Sequence, residues 1–156
     1  MKRQTILIVL SLLIHPTAWA SSPECSKALT LQYAQSIANK AQAYAQKKNW
    51  KVSIAIVNSE GNLLYFQREP DAYVGSIDSA IQKAQSSNAF QRPTSVFVDA
   101  IKQGRLGLMT GKNIVAIEGG IPIILNGKHI GAIGISGAKA TEDEETAQAA
   151  LTASSN

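Results

Sequence analysis

Residues 119–138 read GGIPIILNGKHIGAIGISGA, two apolar runs either side of Asn126-Gly127. An Asn-Gly pair suits a type I′ turn, because both central positions need positive φ. The stretch therefore predicts a tight hairpin. Its second strand is unusually bare: Gly131, Ala132, Gly134, Ser136 and Gly137 carry almost no side chain. So bare a strand implies that another backbone, or a flat ligand, comes close to it. Gly119-Gly120 and Pro122 suit a bulge or turn at a strand start.

Upstream, the apolar residues of 30–49 recur at helical spacing: Leu31, Ala34, Ile37, Ala38, Ala41, Tyr44 and Ala45. Thr30 is the expected N-cap, and Lys47 and Lys48 favour the C-terminal end. The alanine face lets this helix lie close to a sheet. Residues 51–58 (KVSIAIVN) alternate as a half-buried strand, with Val52, Ile54 and Ile56 on one face. The turn 59–62 returns the chain as a second strand over 63–68. A loop over 69–75 leads to a helix over 76–90 with Ser76 as N-cap, then a short helix over 95–103 opened by Thr94. Gly104 caps that helix at its C-terminus. Residues 106–112 read as loop and 114–117 as a short strand. Thr141 and Glu144 have capping-box spacing for a last helix.

The order α-β-β-α-α-β-β-β-α, with hairpins that force antiparallel pairing and helices to cover the sheet, predicts an α+β sandwich. One domain over 29–153 is expected, with a polar lead-in over 21–28 and a disordered tail over 154–156. Residues 1–20 have the form of a signal peptide. Lys2 and Arg3 precede an apolar core over 6–14, and Ala18-Trp19-Ala20 supplies a cleavage site before Ser21. That core is too short to span a bilayer, so the mature chain is expected to be periplasmic or secreted. Removing Lys2 and Arg3 with that segment leaves 13 basic against 11 acidic residues, a net charge of +2 in place of +4. So mild an excess, without a basic stripe interleaved with aromatics, gives no reason to expect a nucleic-acid partner. Cys25 is the only cysteine, which excludes an intramolecular disulfide, and export would remove His15 and leave His129 as the only histidine. No catalytic constellation emerges. Ser136 lacks the G-x-S-x-G elbow, and the glycines of 134–137 lack the dinucleotide fingerprint. Glu142 to Glu145 read as helix-capping charge.

The run Gly119-Gly120-Ile121-Pro122, then Asn126-Gly127, then residues 130–137 (IGAIGISG) resembles the signature of the GlcG/HbpS haem-binding-protein-like family. The acidic opening of the last helix, the 58–61 turn, Arg68 and Lys83-Ala84 are similar too, so the likeness covers about residues 29–151. Residues 65–71 (YFQREPD) depart from the family's usual run. The resemblance implies a profilin-like sheet flanked by helices, assembly as a homodimer or larger oligomer, and binding of haem or a related tetrapyrrole for storage or sensing. It also implies work with a membrane sensor protein in some members. Two further readings stay open: an enzyme that degrades haem or turns over a small organic acid, and a structural adaptor for a membrane sensor.

Haem asks for an axial ligand and a flat apolar slot. His129, Met109 and Tyr73 are the candidate ligands, while Arg68 and Lys83 could pair with propionates. Each has a plainer reading beside it. His129 follows a turn, where side chains are commonly solvated, Met109 could fill a core gap, and Tyr73 could pack on the surface. Arg68 and Lys83 could form surface ion pairs with Glu69, Asp71 or Asp78. The bare strand could serve only to let the alanine-rich first helix, or a partner subunit, pack closely.

Overall fold

The computed structural model describes residues 29–152. The expected signal peptide, the lead-in with Cys25, and the tail lie outside the described residues. Four helices, a short 3₁₀ helix and four strands follow one another: α1 (Leu31–Lys47), β1 (Ser53–Asn58), β2 (Leu63–Arg68), α2 (Ser76–Phe90), α3 (Ser95–Lys102), the 3₁₀ turn Leu106–Thr110, β3 (Gly120–Leu125), β4 (Lys128–Ser136) and α4 (Ala140–Thr152). The sheet is antiparallel in the order β2-β1-β4-β3. This is the α+β architecture expected, with one strand fewer. Residues 114–117 do not pair with the sheet; Val115 N–H instead donates to Ser86 Oγ on α2 (2.9 Å).

Two helical layers cover the sheet. On one face, Ile54 and Ile56 of β1, Ile121 and Ile123 of β3, and Ile133 and Ile135 of β4 pack on the alanines of α1 and on Ala147 and Ala150 of α4. On the other face, Ala55, Val57 and Ala132 meet Ala80 and Ala84 of α2. β1 is consequently buried on both faces rather than one. Strict alternation in the sequence hides this, because serine and alanine at 53 and 55 are small enough to lie beneath a helix.

The close approach implied by the bare strand is real, but α2 makes it rather than α1. A Cβ placed on Gly134 would overlap the Ala80 carbonyl oxygen and lie 2.6 Å from Ala84 N. β4 also lies inside the sheet, between β1 and β3, and is not an edge that a partner subunit could cover. The Asn126-Gly127 hairpin forms as expected, with φ of +50° and +75°.

Thr94 stands at the N-cap of α3 without a side-chain capping bond, and Gly104 follows that helix at φ +91°, while of the caps read at Thr30, Ser76 and Thr141 one forms and two do not. Thr30 Oγ1 accepts from Tyr33 N–H (3.1 Å), as an N-cap should. Ser76 is not a cap. It is the first residue of α2, buried, with its hydroxyl bonded to Ser53 Oγ (2.8 Å) and donating to the Tyr73 carbonyl. Thr141 lies inside α4 and is exposed, so the expected capping box is absent. Glu142 Oε2 accepts from Lys139 N–H (3.0 Å), which closes the first turn two residues earlier.

Candidate functional site

Three features could do chemistry. The first is a groove of about 700 Å³, inside the 300–1,000 Å³ range of small-molecule sites. The 59–61 turn between β1 and β2, the second half of α2, and the 113–115 segment enclose it. Five amide side chains line it, from Gln82, Gln85, Asn88, Gln91 and Asn113. The walls are pinned from within. Asn88 Nδ2 donates to the Ser59 carbonyl (3.1 Å), and Ser86 Oγ holds the 113–115 segment through Val115 N–H (2.9 Å). Asn88 is buried, and its Oδ1 has no hydrogen-bond partner among the described residues.

The second feature is an ion pair inside the protein. Lys83 and Asp143 are 1% and 2% exposed, with Nζ 2.8 Å from Oδ2. Lys83 Nζ also donates to the Ile135 carbonyl (2.9 Å), and Asp143 Oδ1 accepts from Ala138 N–H (3.0 Å). Burial pushes the Asp143 carboxyl above its ordinary range, against the opposing pull of the Lys83 charge. The pair ties α2, β4 and α4 together. Neither the expected surface ion pair nor a propionate clamp describes Lys83, because its charge is already matched inside the fold. Asp143 is likewise no solvated helix-capping charge.

The third feature is His129, near the start of β4 opposite Ile124 of the edge strand β3. Its Nε2 is buried without a partner. Burial lowers the imidazole's affinity for a proton, and a hydrogen bond with the Gly131 backbone works the other way to a smaller extent. The ring is therefore held neutral near pH 7, the form in which a histidine binds iron. A consequence for stability follows. The unfolded chain takes up a proton near pH 6.5, whereas the folded chain resists it. Stability from His129 is thus complete above about pH 6.5 and is lost as pH falls through the lower folded value. His129→Phe is expected to flatten the stability profile between about pH 7 and pH 5 in urea titrations. An unchanged slope would contradict the burial of Nε2.

The structure scatters the remaining candidates. Met109 sits in the 3₁₀ turn and is 71% exposed, so it fills no core gap. Tyr73 is exposed in the β2–α2 loop, its hydroxyl 3.5 Å from Ser136 Oγ. Arg68 folds back on its own loop and donates to the Ala72 carbonyl from Nε (3.0 Å) and Nη2 (2.7 Å). It pairs with none of Glu69, Asp71 or Asp78; Glu69 instead accepts from Gln42 (2.8 Å) and Gln46 (3.1 Å) of α1. None of His129, Met109, Tyr73, Arg68 and Lys83 lines the groove. Sequence reasoning missed Asn88, Ser86 and Asp143. The available signal was polar residues at the core-facing spacing of α2, where Lys83, Ser87 and Asn88 continue the series of Ala80 and Ala84. No group of three or more His, Cys, Asp or Glu among the described residues is placed to hold a metal ion. No described helix is long and apolar enough to cross a membrane.

The fold has counterparts in known proteins. The crystal structure of HbpS superposes with a TM-score of 0.76 at 30% identity, covering 83% of this chain and 92% of that one. A crystal structure of a PduOC–haem complex does so with a TM-score of 0.73 at 28% identity, covering 81% and 94%. In sequence, the protein GlcG of Escherichia coli K12 is 34% identical over 108 residues, 69% of this chain and 81% of GlcG. The model of the family described as "Haem degrading protein HbpS-like" matches residues 29–152, from the residue before the α1 cap to the end of α4. By sequence and by fold, the chain belongs to the HbpS-like family.

Proposed function

We propose that the protein is exported and binds haem or a related tetrapyrrole, for storage or sensing, as a homodimer or larger assembly. The observation that carries this reading is the likeness to the PduOC–haem complex over four-fifths of the chain. In this chain, His129 fits the group best. Its imidazole is held neutral and its Nε2 has no competing partner. Bound haem would supply the iron chemistry, and His129 would offer one nitrogen to it once the side chain turned its buried Nε2 outward. Met109 and Tyr73 are exposed alternatives, and Arg68 is an exposed cation that could meet a propionate.

The test is titration of the mature chain with haemin. A defined Soret band that saturates at a fixed stoichiometry is expected. His129→Ala is expected to shift that band or weaken binding at least about tenfold, the loss of about 1.4 kcal/mol. Met109→Ala and Tyr73→Phe should leave it in place. Association that never saturates would overturn the reading. If the band is lost in Met109→Ala or Tyr73→Phe and kept in His129→Ala, the ligand assignment fails while haem binding stands.

A second reading is turnover of the same ligand, favoured by the family's description as haem degrading. Incubation with haem, a reductant and oxygen separates the two. Ring-opened product above the free-haem background supports turnover, and its absence leaves binding alone.

A further inference from the structure

We propose that the groove between the 59–61 turn, α2 and the 113–115 segment is a separate binding site for a small, uncharged, polyhydroxylated molecule such as a sugar or polyol. Its lining decides the class. Five amides and the hydroxyls of Ser59 and Ser86 offer both donors and acceptors, while no Lys, Arg or His faces the groove. A carboxylate or phosphate ligand would meet no cation there, and its nearest ionic neighbour would be Glu60, of the same sign. Haem propionates are disfavoured on the same ground. A hydroxyl both donates and accepts, so adjacent hydroxyls match adjacent amides, each of which carries one carbonyl and one NH₂.

The walls are also pre-organised. Asn88 is fixed through Nδ2 to Ser59, Ser86 through Oγ to Val115, and Gln85 Nε2 reaches the Gly61 carbonyl at 3.4 Å. Ser86 Oγ accepts in its bond to Val115, so its own hydrogen is left to donate. Asn88 Oδ1 is the reverse case, a buried acceptor without a donor. A buried acceptor left unmatched is costly, and a ligand hydroxyl that reached it would relieve that cost. Ala89, Ile114 and Val115 add apolar surface to the lining, which the C–H groups of a sugar ring can meet.

The test uses the ¹⁵N-labelled mature chain and two neutral probes, glucose and trehalose, with glycolate as an anionic control. Saturable shifts are expected at Gly61, Val115 and the side-chain amides of Asn88 and Gln85 with at least one neutral probe below about 50 mM, and none with glycolate. Gln82→Ala/Gln85→Ala, both exposed on α2, should weaken binding about tenfold without unfolding the protein. Asn88→Leu should abolish it, and a thermal melt checks that this variant folds. Absence of saturable shifts with both sugars would overturn the proposal, as would shifts centred elsewhere. So would equal response to glycolate, competition by haemin at the same amides, or protection of those amides by self-association. The haemin titration of the mature chain is read by the Soret band, so failure of either proposal leaves the other standing.

Discussion

Lys83→Met is expected to lower the stability of the protein by about 3–5 kcal/mol, and Asp143→Leu by a similar amount. Either change leaves the other charge inside the fold without its counter-ion. In Lys83→Met, Asp143 keeps the Ala138 N–H and the Gly137 backbone but loses the ammonium 2.8 Å away. In Asp143→Leu, the ammonium of Lys83 keeps only the Ile135 carbonyl. With a whole-domain stability of about 5–15 kcal/mol, either single change could bring the chain close to unfolding. The double change Lys83→Met/Asp143→Leu should regain most of the loss, because two apolar side chains of similar volume need no solvation. Urea midpoints for the four proteins complete the cycle. A double variant as unstable as the sum of the singles would mean that the pair does not interact, and single losses under about 1 kcal/mol would mean that water reaches it.

The same pair marks the limit of what the sequence disclosed. Elements whose reasons are local were legible. The Thr30 cap, the alanine face of α1, β2 over 63–68 and the Asn126-Gly127 turn all emerge as read, because caps, periodicity and turn chemistry depend on neighbours within a few positions. Features that depend on distant partners were not. Lys83 looks like any exposed lysine until Asp143, sixty positions away, is placed against it. Residues 114–117 carry a strand-like composition, yet their backbone is claimed by Ser86, and Asn113 enters them at φ +65°. Ser76 has the right residue type for a cap, but its hydroxyl is taken by Ser53, 23 positions away, whereas Thr141 loses its place to a local bond between Lys139 N–H and Glu142.

The candidate site divides in the same way. His129 could be named from its side chain, whereas the burial of its Nε2 appears only in the folded chain. The groove could not be named at all, since its lining comes from three separate segments and its amides from two of them, residues 82–91 and Asn113.

Gly134→Ala is expected to cost about 3 kcal/mol or more, and Gly127→Ala only about 1 kcal/mol, although both replace a glycine in one hairpin. The reasons differ. Gly127 stands at φ +75° with open space around its missing side chain, so alanine there bears only the strain of a left-handed backbone. Gly134 sits under α2, where a methyl group would overlap the Ala80 carbonyl and crowd both the nitrogen and the Cβ of Ala84. Backbone atoms cannot rotate aside as a side chain tip can, so α2 must lift from the sheet. Lifting it would part Ala80 and Ala84 from Ala55, Val57 and Ala132, and would strain the bond between Lys83 and Asp143. It would also shift Asn88 and Ser86, which shape the groove. Gly134→Val should therefore fail to give a folded chain, and Gly134→Ala should lose binding at the groove along with stability. Thermal melts and urea titrations of the two alanine variants check the ordering. If Gly134→Ala were as stable as Gly127→Ala, α2 would have to stand further from β4 than these contacts place it.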